Sequence, residues 1–250
     1  VLFRSIYNKF NLMLKNEKFD ALIIASSSES HYKLIKSALK SKVKYIICEK
    51  PFRFSLIKRS EILNLHKKNQ KILINFSRRF SDSYRDLKKS LKKKKFGPLQ
   101  LIKVFFTRGV INNGCHYIDF LRYILNRNCV VRHVNLKKSK IITKDYSGEI
   151  SLSFNKIIAY LYAKDRKHFD EKIMLYFKNY KIEISNNEKM SIFKRGKFQN
   201  FFYFKKSFKI NREKQIKNML LSLKNKVNKS SVKNAFETND VLDIILQKNN

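Results

Sequence analysis

Apolar and polar positions along the chain change their period near residue 78. Before it, short continuous apolar runs alternate with helical patterns. Asp20-Ala21-Leu22-Ile23-Ile24-Ala25 and Val43-Lys44-Tyr45-Ile46-Ile47-Cys48 read as strands buried on both faces. Between them Tyr32, Ile35, Ala38 and Leu39 recur at helical spacing, which predicts a helix over 30–41. Strand, helix and strand in so short a span predict a right-handed βαβ unit. Ser55 is placed to cap a further helix through His66, and Lys71 to Phe76 reads as another short strand.

After residue 78 a helix is expected near 82–94, ending at the Gly97-Pro98 turn, with a strand over 99–107 and a helix over 112–125. From Cys129 to about Phe204 closely spaced strand-like runs follow, many alternating, as in Ile150-Ser151-Leu152-Ser153-Phe154. Helices near 212–224 and 233–247 close the pattern. The fold class is α/β: a partial parallel-sheet domain over 1–78, then an α+β domain over 79–250 with a large, mostly antiparallel open sheet.

Charge changes this picture little. The net charge is +37, from 56 Lys and Arg against 19 Asp and Glu. Lys outnumbers Arg by 43 to 13, and Lys, Asn and Ile together make 94 of the 250 residues. All three share A/T-rich codons, so genome composition accounts for the excess. Nucleic-acid readers favour Arg for bidentate contacts, and these lysines are spread along the chain rather than gathered on one motif. A solvated basic surface is expected, and no nucleic-acid partner. No apolar run reaches bilayer length, and no signal-peptide pattern opens the chain. Cys48, Cys115 and Cys129 lack metal-ligand spacing. They read as reduced thiols of a cytoplasmic protein without a metal site.

Two groups of residues could carry chemistry. Glu49-Lys50-Pro51 follows the second strand directly. Open parallel sheets hold their ligands at the carboxyl ends of strands, so a carboxylate, an amine and a φ-locked proline there form a candidate site. The other group is Asn112, His116 and Asp119, which share one face if residues 112 onward are α-helical. Such an imidazole is either a packed core residue or, held by Asn and Asp, a group able to exchange a proton with a substrate hydroxyl.

The ordered set of motifs resembles the Gfo/Idh/MocA (glucose–fructose oxidoreductase, inositol dehydrogenase, MocA-like) oxidoreductases. The family's strand, Thr-Pro loop and His are echoed by Asp20 to Ala25, Ser26-Ser27 and His31. Its Glu-Lys-Pro is Glu49-Lys50-Pro51, and its segment ending in Arg-Phe is similar to Asn75-Phe76-Ser77-Arg78-Arg79-Phe80. Its Asp/Asn-x-Gly-x-His-x-x-Asp signature is matched by Asn112 to Asp119. The resemblance implies a Rossmann domain taking NAD or NADP, joined to a sheet domain through which the family forms dimers or tetramers. It implies that His116 is the acid–base residue, oriented by Asn112, and that Lys50 holds the substrate oxygen and stabilises its developing charge. Ser26, Ser27 and His31 would lie near pyrophosphate and ribose, and Glu49, Lys50 and Arg79 near nicotinamide. Glu49 and Arg79 could equally form an ion pair at the domain junction.

Two departures bear on activity. Many members carry Asp where this chain has Asn112, and Asn can orient His116 but cannot raise its basicity through charge. Some sugar-modifying members have Asn there, a pointer to a nucleotide-sugar or related substrate. The glycine-rich dinucleotide fingerprint is also absent, for the first glycine is Gly97. A chain opening on Val1 without that turn implies a fragment, or a member that has lost the front of its Rossmann domain. The expected function is hydride transfer between a nicotinamide cofactor and a sugar, nucleotide-sugar or polyol hydroxyl. The alternative is a non-catalytic module for interaction or oligomerisation.

Overall fold

In a computed structural model, residues 5–66, 69–185, 189–196, 202–224 and 229–249 are described. The chain divides into two compact units, Val1–Asn75 with Leu221–Phe236, and Phe76–Leu220 with Glu237–Asn250.

The first unit holds α1 (Phe10–Asn16), β1 (Ala21–Ile24), α2 (Ser28–Lys40), β2 (Tyr45–Cys48), α3 (Leu56–Leu65) and β3 (Lys71–Ile74). The three strands form a parallel sheet in the order β1-β2-β3. β2 lies in the middle, and Ile46, Ile47 and Cys48 are buried. β1 buries Leu22 and Ile24 and leaves Ile23 exposed, so the expected burial on both faces does not hold for it. Ser55 caps α3 by accepting from the Lys58 N–H at 3.5 Å. The Gln70 amide donates to three carbonyls, those of Leu39, Ser41 and Val43, and so fixes the chain around the start of β2. Residues 221–236 join this unit through Lys71 Nζ, which donates to the Ser222 and Leu223 carbonyls at 2.7 and 3.1 Å. Ser230 adds a backbone and a hydroxyl bond to Ile74.

The second unit opens with a 3-10 turn over Ser77–Phe80 and α4 (Asp82–Lys92), then β4 (Leu99–Phe106). A π-helical turn, Gly109–Gly114, leads into α5 (Cys115–Leu125). Seven strands follow: β5 (Val130–Lys138), β6 (Tyr146–Phe154), β7 (Ile157–Ala163), β8 (Lys172–Phe177), β9 (Tyr180–Ser185), β10 (Lys189–Arg195) and β11 (Phe202–Lys209). Helices α6 (Arg212–Ser222) and α7 (Val232–Lys248) come last. The eight strands run β11-β10-β9-β8-β4-β7-β6-β5, antiparallel except for the parallel pair β4–β7. Alternation sets the inner face: Ile102, Val104 and Phe106 of β4, Ala159 and Leu161 of β7, and Ile173 and Leu175 of β8 are all buried. From α5 the residues Tyr117, Ile118, Phe120, Leu121 and Ile124 are buried. Tyr160 and Tyr162 of β7, two residues apart, are exposed.

The expected fold class holds, with a short parallel sheet followed by a large, mostly antiparallel one. The helix expected over 112–125 begins as the π turn and becomes α-helical only at Cys115. β7 continues from β6 through a two-residue turn at Asn155, where φ is +57°; with no glycine or proline there, the sequence marked no break.

Candidate active site

In the second unit a cleft of about 250 Å³ is lined by Ser77 and Arg78 of the 3-10 turn, Asn113 of the π turn and His116 of α5. Glu171, just before β8, and Arg212 and Gln215 of α6 complete its polar wall. His116 is half-buried, its ring edge-on to Phe76 at 6.1 Å between centroids. A larger cavity of about 470 Å³ between α4 and β9–β11 is floored by Ile182, Met190 and Ile192. It has no imidazole or buried carboxylate among its lining residues.

The charge in that cleft is organised around Glu171, which is 4% exposed. Its Oε2 accepts from Arg78 at 2.6 Å and from the Tyr117 hydroxyl at 2.5 Å. The Arg78 guanidinium also stacks 4.8 Å from the Tyr117 ring centroid. Burial works against the Arg78 charge, but Glu171, Tyr117 and Tyr84 outweigh it and hold its pKa above the ordinary value. Burial pushes the Tyr84 hydroxyl up to about 12, and that of Tyr117 further, so both stay protonated donors at neutral pH.

The element carrying His116 is anchored at its start by Asp145. This buried carboxylate accepts from the backbone N–H groups of Ile111, Asn112 and Tyr146 at 2.8, 2.9 and 2.7 Å. It does the work of an N-cap for a turn preceded by Arg108 in the left-handed region, whose side chain makes no capping bond.

Asn112, His116 and Asp119 do not form one chain of hydrogen bonds. Asp119 is 1% exposed and is engaged by Arg79 through three contacts of 2.7 to 3.1 Å, with Thr238 behind it. It makes no bond to His116. Asn112 donates from its backbone to Asp145 and from its side chain to the Arg108 carbonyl at 3.5 Å. The cleft takes Asn113 instead, because the π turn closes on i→i+5 hydrogen bonds and shifts the stripe by one residue. Arg79 is committed to Asp119, and its neighbour Arg78 is the arginine that reaches the cleft. The sequence reading singled out Arg79, near nicotinamide or paired with Glu49, and not Arg78. It missed Glu171 altogether, a carboxylate in the mixed-charge run Lys164 to Lys172 with no motif around it.

In the first unit the three strands end level at Ile24, Cys48 and Ile74, which puts Ser26-Ser27, Glu49-Lys50 and Asn75 on one edge. Glu49 accepts a short hydrogen bond from the Asn75 amide. Lys50 is half-buried, and the Lys50–Pro51 peptide is cis. His31 is fully buried, with Nε2 3.0 Å from the Ser26 carbonyl and Nδ1 3.4 Å from the Pro51 carbonyl. It ties together the loops at the ends of β1 and β2. Ser26 and Ser30 share a hydroxyl bond of 2.6 Å at the start of α2. Burial, with Glu49 adding to it, raises the Cys48 thiol far above its ordinary range, so it is not a nucleophile.

The profile described as "Oxidoreductase family, NAD-binding Rossmann fold" matches residues 4–76. Over that stretch the chain is similar to the Gfo/Idh/MocA family. It is 33% identical over 100 residues to the uncharacterized oxidoreductase YrbE of Bacillus subtilis, 40% of this chain and 29% of that protein. It is 27% identical over 130 residues to myo-inositol 2-dehydrogenase of Thermotoga maritima, 45% of this chain and 38% of that one. The matched stretches thus span well under half the length of these curated relatives. The dehydrogenase MviM of Clostridium difficile shares the fold, with a TM-score of 0.75 at 17% identity over 96% of this chain and 82% of that one.

The cofactor of this family's Rossmann fold is a nicotinamide dinucleotide. The level strand ends of the first unit, with their hydroxyls, carboxylate and amine, fit the sugar and nicotinamide portion of such a molecule. The tight glycine turn that receives pyrophosphate has no counterpart, since no glycine precedes Gly97. Among the described residues no helix is long and apolar enough to cross a membrane, and no group of three His, Cys, Asp or Glu could hold a metal.

Proposed function

We propose that this chain belongs to an NAD(P)-dependent oxidoreductase acting on a hydroxyl of a sugar or polyol. The observation that carries the reading is the family's signature histidine, His116, lining a polar cleft among hydroxyl, amide and carboxylate groups. Two inositol dehydrogenases, from Salmonella and Thermotoga, are among the relatives, which supports a polyhydroxylated substrate.

His116 accepts the substrate hydroxyl proton. Lys50 donates a hydrogen bond to a substrate oxygen. Asn112 fixes the start of the element carrying His116 through its backbone bond to Asp145. Ser26, Ser27, Glu49 and Lys50 lie at the strand ends that face a cofactor, with His31 bracing the loops. Arg79 supports the site through Asp119. The bound dinucleotide supplies hydride chemistry. The units self-associate through the open face of the large sheet, where Tyr160 and Tyr162 are exposed.

The test is titration of the chain with NADH and NADPH, followed by turnover with myo-inositol and a sugar panel. Saturable binding and turnover are expected. His116→Ala should lower kcat about 10²-fold or more, the usual worth of a positioned acid–base group. Lys50→Ala should cost about 10²–10³-fold, as for loss of one donor to a developing oxyanion. Turnover retained in both variants overturns the roles, and absence of any saturable cofactor binding overturns the reading.

A further inference from the structure

The cleft around His116 has hydrogen-bonding capacity that the protein does not use. Glu171 spends one oxygen, Oε2, on Arg78 and Tyr117, and Oε1 makes no bond among the described residues. Asn113 donates its Nδ2 to the Thr107 carbonyl at 2.8 Å. A carbonyl can only accept, so this bond fixes the amide's orientation and leaves Oδ1 without a partner among the described residues. Gln215 is 6% exposed, lines the cleft, and its side-chain amide makes no hydrogen bond among the described residues. These three groups, from separate elements, line one cleft and are not among the sealed unpaired atoms, so water meets them there and a ligand with matching groups can replace it.

Two of the three open positions are acceptors, so the partner must bring donors. Arg78 is already neutralised by Glu171, and Arg212 and His116 are the other cationic or titratable groups on the wall. A carboxylate ligand placed against Glu171 would meet a like charge, whereas hydroxyls satisfy both acceptors and the amide. The volume, about 250 Å³, is below the range of roughly 300–1,000 Å³ for drug-sized ligands and has room for one small ring.

Resting on the dehydrogenase reading, we infer that Glu171 and Gln215 are specificity-determining residues. With Asn113 they read adjacent hydroxyls of a neutral polyol ring while His116 takes the proton of the hydroxyl that reacts. Glu171 is a binding group through Oε1 and a positioning group for Arg78 through Oε2.

The experiment measures binding of myo-inositol, its single-deoxy analogues and glucuronate to the whole chain by calorimetry, with NAD⁺ reduction followed in parallel. Gln215→Leu is the first variant, since its amide holds nothing else in place; Glu171→Gln is the second, with thermal unfolding as a check. The expected result is myo-inositol binding weakened about tenfold by each variant, one or more deoxy analogues weakened similarly, and glucuronate no tighter than myo-inositol. In turnover, Gln215→Leu should raise KM with little change in kcat, which a merely structural role would not produce. Binding within twofold of the parent in Gln215→Leu, equal binding of every deoxy analogue, or glucuronate bound tenfold tighter overturns the inference. Turnover lost in His116→Ala with Gln215→Leu unchanged would leave the dehydrogenase reading standing and sink this one. Polyol binding sensitive to Gln215 without NAD⁺ reduction would do the reverse.

Discussion

Asp145 shows how one side chain can determine a site it does not touch. Its carboxylate receives three backbone N–H groups and closes over Gly109, where φ is +78° and a Cβ would come within 2.2 Å of the Asp145 carboxyl. Both features require glycine at 109. Asp145→Ala removes acceptors from three part-buried donors, each bond to a charged group contributing about 1.5–3 kcal/mol at most and the set sharing one cap. A loss of about 3 kcal/mol in denaturant unfolding is expected, with Gly109→Ala costing about as much through strain and collision. A change under about 1 kcal/mol in both variants would contradict this account. Residue identity was legible at His116 because a motif surrounds it. Beside the expected Arg79 and Asn112, a 3-10 turn and a π turn rotate Arg78 and Asn113 into the cleft. Spacing rules for an α-helix contain no such rotation.

At the scale of elements, small polar residues cap helix starts, and of these the sequence marked Ser55. Ser81 accepts from the Tyr84 N–H at 3.4 Å to begin α4, and Asn211 accepts from the Lys214 N–H at 2.9 Å to begin α6. What the sequence did not display is how α4 and α6 are joined. Asp82 at the first turn of α4 receives Lys214 at 2.7 Å, Asn218 at 3.2 Å and Arg85 at 2.7 Å. The Lys214 hydrogen bond, with Arg85 and Asn218 adding to it, holds the Asp82 carboxyl below its ordinary pKa. A depressed carboxylate stabilises the fold above its unfolded pKa of about 3.9, and that contribution is lost as pH falls through the folded value. The group is well solvated, so the contribution is about 0.5–1 kcal/mol. Asp82→Asn should therefore lower the melting temperature near pH 7 and converge with the parent below about pH 3, by calorimetry across that range. A difference that stays constant with pH would count against the ion pair.

The whole chain is two units whose sheets differ in kind. The large sheet keeps one face for helices and leaves Tyr160 and Tyr162 exposed on β7. If this face joins copies of the chain, light scattering should report a dimer or tetramer, and Tyr160→Lys with Tyr162→Lys should yield a monomer with an unchanged circular dichroism spectrum. A monomeric parent at all accessible concentrations would refute it. By itself the sequence determined the two textures and most strand and helix positions, since burial on one or two faces imposes its period on local residues. It also carried the family resemblance, because Glu49-Lys50-Pro51 and the segment from Asn112 to Asp119 are contiguous motifs. Only the tertiary structure decided that residues 221–236 join the first unit, through carbonyls accepting from Lys71 and a serine hydroxyl donating to Ile74. It alone brought Glu171 and Gln215 to His116, from places 55 and 99 positions further along the chain. Such convergence depends on strand order and helix docking, and nothing local in the chain encodes which distant carboxylate or amide will meet an imidazole.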